Sequence, residues 1–346
     1  MIRALSFAVL AALAILPADA NAQPIPDLQI SELVDQLQDG NLGKIRAVAV
    51  ERGGAILYRG RFDNGAKGDR IDIKSAGKSI TALAVGAAIA DGALSGTDVK
   101  VWPFLGSDRG EPWASITVAD LLNMSSSLDC NDWEKRSPGQ EEKMYRTRDW
   151  RDFALGLPSR RFERDDRGVG SFSYCTAGVF LLGQVVERAV GERFDLYVQR
   201  RLFDPLGIDG ADWRRSRSGE VQSGGQLTIS DEALLKIGRM VMDGGKWRGE
   251  QILPQAWIRS MLTPAHKLGE HVGYGNLWWH IPIRSHRGYE DAIMMKGNGG
   301  NVVALVPNLD VVLVVQSESY NRSEADRNSF IVLTNLLRNL EELEQD

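Results

Sequence analysis

The sequence has few residues of the kinds that bind metals or build disulfide frameworks, with two cysteines and four histidines in 346 residues. His266, His271, His280 and His286 show no metal-site spacing with cysteines or carboxylates. The sequence therefore predicts no metal centre, and no motif in it calls for a cofactor. A chain of this length can bury a large core without such support.

The chain also has no large excess of charge of one sign: it contains 41 Lys and Arg and 46 Asp and Glu, which gives a net charge of −5. The basic residues are scattered, apart from the pairs Arg160-Arg161, Arg200-Arg201 and Arg214-Arg215. No nucleic-acid footprint is present. Beyond the first residues, no apolar run is long enough to span a membrane.

The N-terminus has the pattern of a secretory signal. Arg3 precedes an apolar run over residues 4–16, and Ala20-Asn21-Ala22 supplies a small-x-small cleavage site. We predict a signal peptide over residues 1–22, cleaved after Ala22, and a periplasmic or secreted bacterial protein. A membrane anchor needs about 20 apolar residues, and Pro17 ends this run earlier.

Residues 71–90 combine a possible nucleophile with a buried helix. From Lys78 onward, small apolar residues surround the predicted helix, which stops before Asp91-Gly92. Ser75 lies at its N-terminus and Lys78 one turn later, so the hydroxyl and the amine can touch. Unpaired N–H groups at a helix N-terminus suit a developing oxyanion.

Three interpretations of this stretch compete. Ser75-x-x-Lys78 matches the serine–lysine nucleophile motif. Gly77-Lys78-Ser79 ends like a phosphate-binding loop, but Asp72 stands where that loop requires glycine. A capping serine followed by a solvated lysine is the third, because about one S-x-x-K is expected by chance in such a chain. No Gly-x-Ser-x-Gly elbow occurs.

Strands are predicted at both ends of the mature chain and helices in the middle. Residues 45–50 and 55–62 form a hairpin, 302–306 and 311–315 form a buried strand pair, and Ser323 is expected to cap the last helix. The fold class is α+β, an antiparallel sheet flanked by helices with an inserted, mostly helical lobe. We expect a single domain over residues 23–346, with an α/β lobe from about 23–80 and 266–346 and a helical lobe from about 81–265.

Five segments, in order, resemble the serine β-lactamase-like hydrolases: class C β-lactamases, D-alanyl-D-alanine carboxypeptidases, esterases and 6-aminohexanoate-dimer hydrolases. The segments are Ser75-x-x-Lys78, residues 116–126, Tyr174-x-Thr176 with Leu181-Leu182-Gly183, residues 202–208, and residues 297–301 followed by Pro307. Each is weak alone, and their shared order and spacing are typical of the family. The resemblance implies a β-lactamase/penicillin-binding-protein-like fold.

The resemblance also implies roles for particular residues. Ser75 would form an acyl-enzyme, with Lys78 and Tyr174 as the proton relay and either one as the base. Backbone N–H groups of Ser75 and Asn298 would form the oxyanion hole. The expected substrate-binding residues are Thr176, Gly297, Trp278 and Trp279, with core packing as the alternative for the two tryptophans.

Two departures from the penicillin-recognising members affect the expected substrate. Met295-Lys296-Gly297 replaces the Lys-Thr-Gly or His-Thr-Gly motif, and Thr176 replaces an asparagine. Both favour a small ester or amide as substrate, as in relatives of the 6-aminohexanoate-dimer hydrolases. A β-lactamase or carboxypeptidase, and a non-catalytic binding or sensor protein on the same fold, stay as alternatives.

Cys130 and Cys175 are the last predicted pair. Two cysteines in an exported chain favour a disulfide, and the resemblance implies that both segments lie in one lobe beside the active site. Two buried thiols are the alternative.

Overall fold

The computed structural model describes residues 30–62, 68–106 and 110–343 of the 346-residue chain. The predicted signal peptide, residues 1–22, lies outside these described residues. Among the helices that are described, none combines the length and the apolar character needed to cross a membrane.

The strands form one large antiparallel sheet and three small ones. In chain order they are β1 (Ile45–Arg52), β2 (Ala55–Arg61), β3 (Arg70–Asp72), β4 (Asp212–Trp213), β5 (Leu227–Ser230), β6 (Lys246–Trp247), β7 (Glu250–Gln251), β8 (His266–Lys267), β9 (Gly273–Gly275), β10 (Trp278–His280), β11 (Ile283–Ser285), β12 (Gly288–Glu290), β13 (Ile293–Gly297), β14 (Asn301–Val306) and β15 (Val311–Ser317). The large sheet has the order β2-β1-β15-β14-β13-β10-β9-β8. The first and last long strands of the chain, β1 and β15, pair directly, so both ends of the chain build this sheet.

The helices in the described part of the chain include two long ones that are buried on nearly every side. The helices are α1 (Ser31–Gln38), α2 (Lys78–Ala90), α3 (Trp102–Leu105), α4 (Val118–Leu122), α5 (Glu141–Arg146), α6 (Trp150–Leu155), α7 (Thr176–Val190), α8 (Phe194–Val198), α9 (Asp204–Leu206), α10 (Asp231–Met242), α11 (Gln255–Met261) and α12 (Ala325–Glu342). The buried pair, α2 and α7, pack against each other. Their small and apolar side chains allow this close packing on all sides.

The central strands of the sheet are covered on both faces. Side chains alternate along a strand, so Val312 and Val314 of β15 pack with α10 and the helical part. Val311, Leu313 and Val315 of the same strand pack with α1 and α12 on the opposite face. This double burial explains why the sequence of β15 is apolar without interruption.

Two details differ from the predicted arrangement. Helix α10 lies within the range expected for the helical lobe, yet it packs on β1, β14 and β15, because its apolar face meets the sheet. The prediction that Ser323 caps the last helix is wrong. Helix α12 begins at Ala325 with Glu324 as its N-cap, and the Ser323 hydroxyl donates to the Glu324 carboxylate instead.

Candidate active site

Ser75 lies in a 3₁₀ turn, Lys74–Gly77, that runs directly into α2. Lys74 has a φ of 53°, a left-handed conformation that costs a non-glycine residue about 1–2 kcal/mol. The Asp72 carboxylate supports it by accepting hydrogen bonds from the Lys74 backbone N at 2.9 Å and from Nζ at 2.7 Å. The Gln226 backbone N donates to the Lys74 carbonyl at 3.1 Å. The backbone before Ser75 is therefore held by partners from two other segments.

Lys78 is buried beside the serine. Its side chain is 1% exposed, and Nζ donates to Ser75 Oγ at 2.8 Å and to the Gly224 carbonyl at 2.6 Å. The spacing of three residues places both side chains on one face, as the sequence predicts. Both hydrogen-bond partners of this ammonium group are neutral oxygens.

Tyr174, two residues before the start of α7, contacts both Ser75 and Lys78, and these three residues form one contact group. The Ser75 hydroxyl hydrogen-bonds with the phenol, and Lys78 Nζ lies 5.1 Å from the ring centroid. Burial raises the pKa of Tyr174, and the Lys78 charge and the Ser75 hydrogen bond lower it. The ring stacks between Trp133, at 5.3 Å, and Trp279, at 6.1 Å. The structure thus brings together the three residues that the sequence proposed from distant positions.

Gly297, at the end of β13, lies against the turn that carries Ser75. A Cβ atom on Gly297 would lie 2.0 Å from the Ile73 carbonyl oxygen and 3.1 Å from the Ser75 backbone N. Asn298 follows, and its side chain exchanges hydrogen bonds with Asn321, at 2.9 and 2.8 Å. Strand end and turn are therefore in backbone contact, with no room for a side chain between them.

The sequence analysis did not identify Asp132, an acid beside this group. Its carboxylate accepts from the backbone N of Thr176 at 2.7 Å and of Glu141 at 2.9 Å, and its own N–H donates to the Tyr174 carbonyl at 2.8 Å. Burial, together with Glu141, raises the pKa of Asp132 to about 6, although Lys78 acts in the opposite direction. In the described residues, no three His, Cys, Asp or Glu side chains are arranged to hold a metal ion.

Two cavities meet at the serine, and both are lined by Ser75, Glu141 and Asn298. The tyrosine chamber, of about 380 Å³, is further lined by Asp132, Trp133, Tyr174, Trp279, Lys296, Gly297 and Asp326. The glutamine chamber, of about 230 Å³, is further lined by Lys74, Glu142, Tyr145, Gly224, Gly225, Gln226, Tyr320 and Asn321. If the carbonyl carbon of a bound molecule lay beside Ser75 Oγ, the groups on its two sides would therefore occupy different chambers. Each chamber admits only a small group.

Comparison with known families decides the ancestry of this site. The family model described as Beta-lactamase matches residues 32–336. The chain belongs to the beta-lactamase family. The predicted family and the predicted fold are both confirmed, and the match includes every residue of the contact group and of the two chambers.

Individual proteins similar to this chain carry different descriptions. The chain is 29% identical over 255 residues to the 6-aminohexanoate-dimer hydrolase of Paenarthrobacter ureafaciens, and the match covers 71% of this chain and 62% of that relative. A Bacillus anthracis protein, provisionally described as a 6-aminohexanoate-dimer hydrolase, superposes with a TM-score of 0.73 at 17% identity, over 90% of this chain and 82% of its own. EstCE1, described as a hydrolase with promiscuous acyltransferase activity, gives 0.69 at 15% identity, over 88% and 98%.

Two residues predicted to bind substrate do not reach either chamber. Trp278 is fully buried, because on β10 it faces the core while its neighbour Trp279 faces the tyrosine chamber. Thr176 is also fully buried as the first residue of α7. Gly297, Trp279 and Asn298 do line the site.

The two residues before Gly297 on β13 face different sides of the sheet. Met295 is fully buried, whereas Lys296 lines the tyrosine chamber and pairs with Asp326. The sequence analysis placed no role on Lys296. Successive side chains on a strand point to opposite faces, so Met295 and Gly297 share one face and Lys296 points to the other. This alternation could have indicated from the sequence that Lys296 and Met295 have different surroundings.

The predicted disulfide between Cys130 and Cys175 is present in the structure, with 5.3 Å between the two Cα atoms. Cys175 directly follows Tyr174 and caps α7, and its sulfur accepts from the Gly178 backbone N at 3.1 Å. Cys130 lies two residues before Asp132. The bond therefore ties the loop that carries the buried acid to the segment that carries the tyrosine.

Proposed function

We propose that this chain is a serine hydrolase that cleaves a small ester or amide through an acyl-enzyme on Ser75. The observation that carries the proposal is the 2.8 Å contact from the buried Lys78 Nζ to Ser75 Oγ, beside a cavity that Ser75 and Tyr174 both line. A serine hydroxyl becomes an effective nucleophile only when a neighbouring base accepts its proton. Lys78 and Tyr174 form the relay that takes this proton: with Lys78 as the ammonium the acceptor is the Tyr174 phenolate, and with Lys78 as the free amine the acceptor is Lys78 itself.

The steps follow from the positions of these groups. Ser75 Oγ attacks the carbonyl carbon, its proton passes to the relay, and Tyr174 returns a proton to the departing alcohol or amine. Tyr174 lines the tyrosine chamber and not the glutamine chamber. The leaving group, which takes its proton from Tyr174, therefore occupies the tyrosine chamber, and the acyl group occupies the glutamine chamber. Water then attacks the acyl-enzyme, and the relay acts in reverse.

The oxyanion that forms on the carbonyl needs donors that are already in place. We assign this role to the backbone N–H groups of Ser75 and Asn298. Gly297 supports the assignment, because its missing side chain lets β13 approach the Ser75 turn.

Substrate class follows from the lining of the chambers. Met295 is buried and cannot pair with the carboxylate of a β-lactam or a D-alanyl peptide. The tyrosine chamber contains more carboxylates than cations and is walled by aromatic rings, which suits a group bearing an amine. The name of the Paenarthrobacter relative, an enzyme for dimers of an amino acid, is in keeping with this.

The reaction class is tested with p-nitrophenyl acetate, p-nitrophenyl butyrate and nitrocefin. Hydrolysis of the two esters should exceed hydrolysis of nitrocefin. Efficient nitrocefin turnover would instead favour the β-lactamase alternative, and no turnover of any acyl substrate would favour the binding-protein alternative.

The nucleophile is tested with a fluorophosphonate probe and mass spectrometry of the labelled peptide. The adduct should lie on Ser75, and Ser75→Ala should abolish it. The matched control is Ser260→Ala, since Ser260 is exposed on α11 and lines neither chamber. Labelling that survives in Ser75→Ala would refute the assignment.

We also propose export to the periplasm or beyond, as a single catalytic domain from residue 23. Two observations support this: the signal-like pattern of residues 1–22 and the Cys130–Cys175 disulfide, since such bonds persist in oxidising compartments.

A further inference from the structure

Asp132 connects three segments around the relay. Its two carboxylate oxygens accept from the first backbone N–H groups of α5 and α7, at Glu141 and Thr176, and its own N–H fixes the carbonyl of Tyr174. The side chain of Asp132 joins the two helix ends, and its backbone N–H joins both to the Tyr174 carbonyl.

Asp132 is also the acid whose charge acts on the buried lysine. Lys78 is hydrogen-bonded only to neutral oxygens, and a buried charge without a counter-charge is costly. The groups that face Asp132 are Glu141 and Tyr145 from α5, Lys78 from α2 and Tyr174. Lys78 is the single cation among these four.

We propose that Asp132 is a positioning residue of the Ser75–Lys78–Tyr174 relay, as the buried anion that balances Lys78 and holds the Tyr174 backbone in place. The inference rests on the proposed function. Asp132 also lines the tyrosine chamber, so the test uses an uncharged substrate, on which its effect through the relay is separated from attraction of a charged group.

The stability of the protein distinguishes this role from a merely structural one. The fold raises the pKa of Asp132 from 3.8 to about 6, chiefly through burial. Between those values the folded state binds more protons than the unfolded state, so stability falls as pH rises through this window. Asparagine does not ionise and so lacks this pH-dependent loss of stability, but its amide can accept only one of the two backbone N–H bonds that the carboxylate accepts.

The experiment compares Asp132→Asn with the wild type and with Asp149→Asn. Asp149 is a matched control because it caps α6, with a 2.7 Å bond from the Asp152 backbone N, away from the relay. With p-nitrophenyl butyrate, which is uncharged, Asp132→Asn should lower kcat about tenfold or more with little change in KM. If kcat of the wild type is plotted against pH, it should change near pH 6, and this change should be absent from Asp132→Asn.

Thermal unfolding of the same variants provides the second measurement. Asp132→Asn should have a lower Tm than the wild type at pH 4, because the amide keeps only one of the two acceptor oxygens. This Tm difference should shrink or reverse by pH 8, because only the wild type loses stability as its carboxyl ionises. Asp149→Asn should have the activity of the wild type, and its Tm difference from the wild type should be the same at pH 4 and pH 8. Asp132→Ala, which removes the acceptors of both N–H bonds, should lower kcat and Tm together.

Two outcomes overturn the inference while leaving the proposed function intact. One is a kcat and pH profile of Asp132→Asn equal to the wild type, when the wild type is labelled at Ser75. The other is a Tm deficit of Asp132→Asn that is the same at pH 4 and pH 8, with the pH profile of kcat unchanged, which would make Asp132 a helix cap alone. A wild type that shows no turnover and no labelling at Ser75 refutes the proposed function first, and this inference with it.

Discussion

At the scale of single residues, Lys78 combines a cation with a fully buried position and neutral partners. Its ammonium group touches the Ser75 hydroxyl and lies below the face of the Tyr174 ring, 5.1 Å from its centroid. Because Lys78 itself is buried, its electrostatic effect on its neighbours is stronger than that of a lysine at the surface. The chemistry of Ser75 therefore depends on one charge that solvent screens only weakly.

Tyr174→Phe tests the phenol while keeping the ring. The stacking on Trp133 and Trp279 is retained, so Tm should change little. Loss of the hydroxyl removes the proton donor to the leaving group, and kcat for p-nitrophenyl butyrate should fall about 10²–10³-fold. Steady-state kinetics and thermal unfolding measure the two effects. Unchanged kcat would remove Tyr174 from the relay.

Gly297→Ala tests the contact between β13 and the Ser75 turn. The added methyl would meet backbone atoms, 2.0 Å from the Ile73 oxygen and 2.8 Å from the Ala76 nitrogen, and these cannot rotate away. Strand and turn must separate, so activity should fall about a hundredfold and Tm should drop. The control is Gly68→Ala, since nothing lies within 4 Å of that Cβ position. Full activity in Gly297→Ala would contradict the assigned oxyanion hole.

Site residues that lie close together on one helix could be predicted from the sequence, whereas those placed by strand register or by distant contacts could not. Ser75 and Lys78 are three apart on one helix face, so spacing alone predicts their contact. Trp278 and Trp279 are adjacent on a strand, and only the register of β10 decides which one reaches the chamber. Asp132 lies in a polar loop without periodicity, and its position depends on contacts with segments more than 40 residues away.

At the scale of elements, the disulfide fastens two segments of the site. The bonded residues are 45 apart in sequence, and closing a loop of that length constrains the unfolded chain by about 4 kcal/mol in the entropic treatment. Reduction should therefore lower Tm by about 5–10 °C. It should also lower activity, because Cys175 adjoins Tyr174 and Cys130 adjoins the Asp132 loop.

The control for the reduction experiment is the double variant Cys130→Ser/Cys175→Ser. It should resemble the reduced wild type and should not respond to reductant. Thiol counting under denaturing, non-reducing conditions gives the redox state directly, and two free thiols in protein isolated from the periplasm would end the prediction.

Long elements with strong patterns were predictable, and short ones were not. Helices α2, α7 and α10 have dense apolar patterns, and β14 and β15 are continuous apolar runs around a turn, so local sequence specifies them. Strands β8 and β9 are two or three residues long and exist through pairing with their neighbours. The full extent of the eight-stranded sheet therefore had to come from the structure.

At the scale of the whole molecule, the site lies where the sheet meets the helices. Ser75 and Lys78 come from the turn and from α2, Tyr174 from the start of α7, and Asn298 from the end of β13. No single segment contains the chemistry, so the site exists only when both ends of the chain and its middle have assembled.

Export is a property of the whole chain, and its test uses the full sequence. Expressed in a bacterium with a periplasm, the protein should be recovered there with Gln23 as its first residue, as read by mass spectrometry of the N-terminal peptide. Ala22→Glu, which alters the predicted cleavage site, should remain unprocessed. A chain that keeps Met1 and stays in the cytosol would contradict the proposal.

The position of Trp133 gives the protein a built-in optical reporter. All nine tryptophans lie in the described residues, and Trp133, 61% exposed and stacked on Tyr174, is the exposed one among them. Its indole should emit at longer wavelength than the others because it faces water. A molecule that enters the tyrosine chamber should cover this ring and shift its emission to the blue. With the Ser75→Ala chain, occupancy can thus be titrated by fluorescence while no bond is broken.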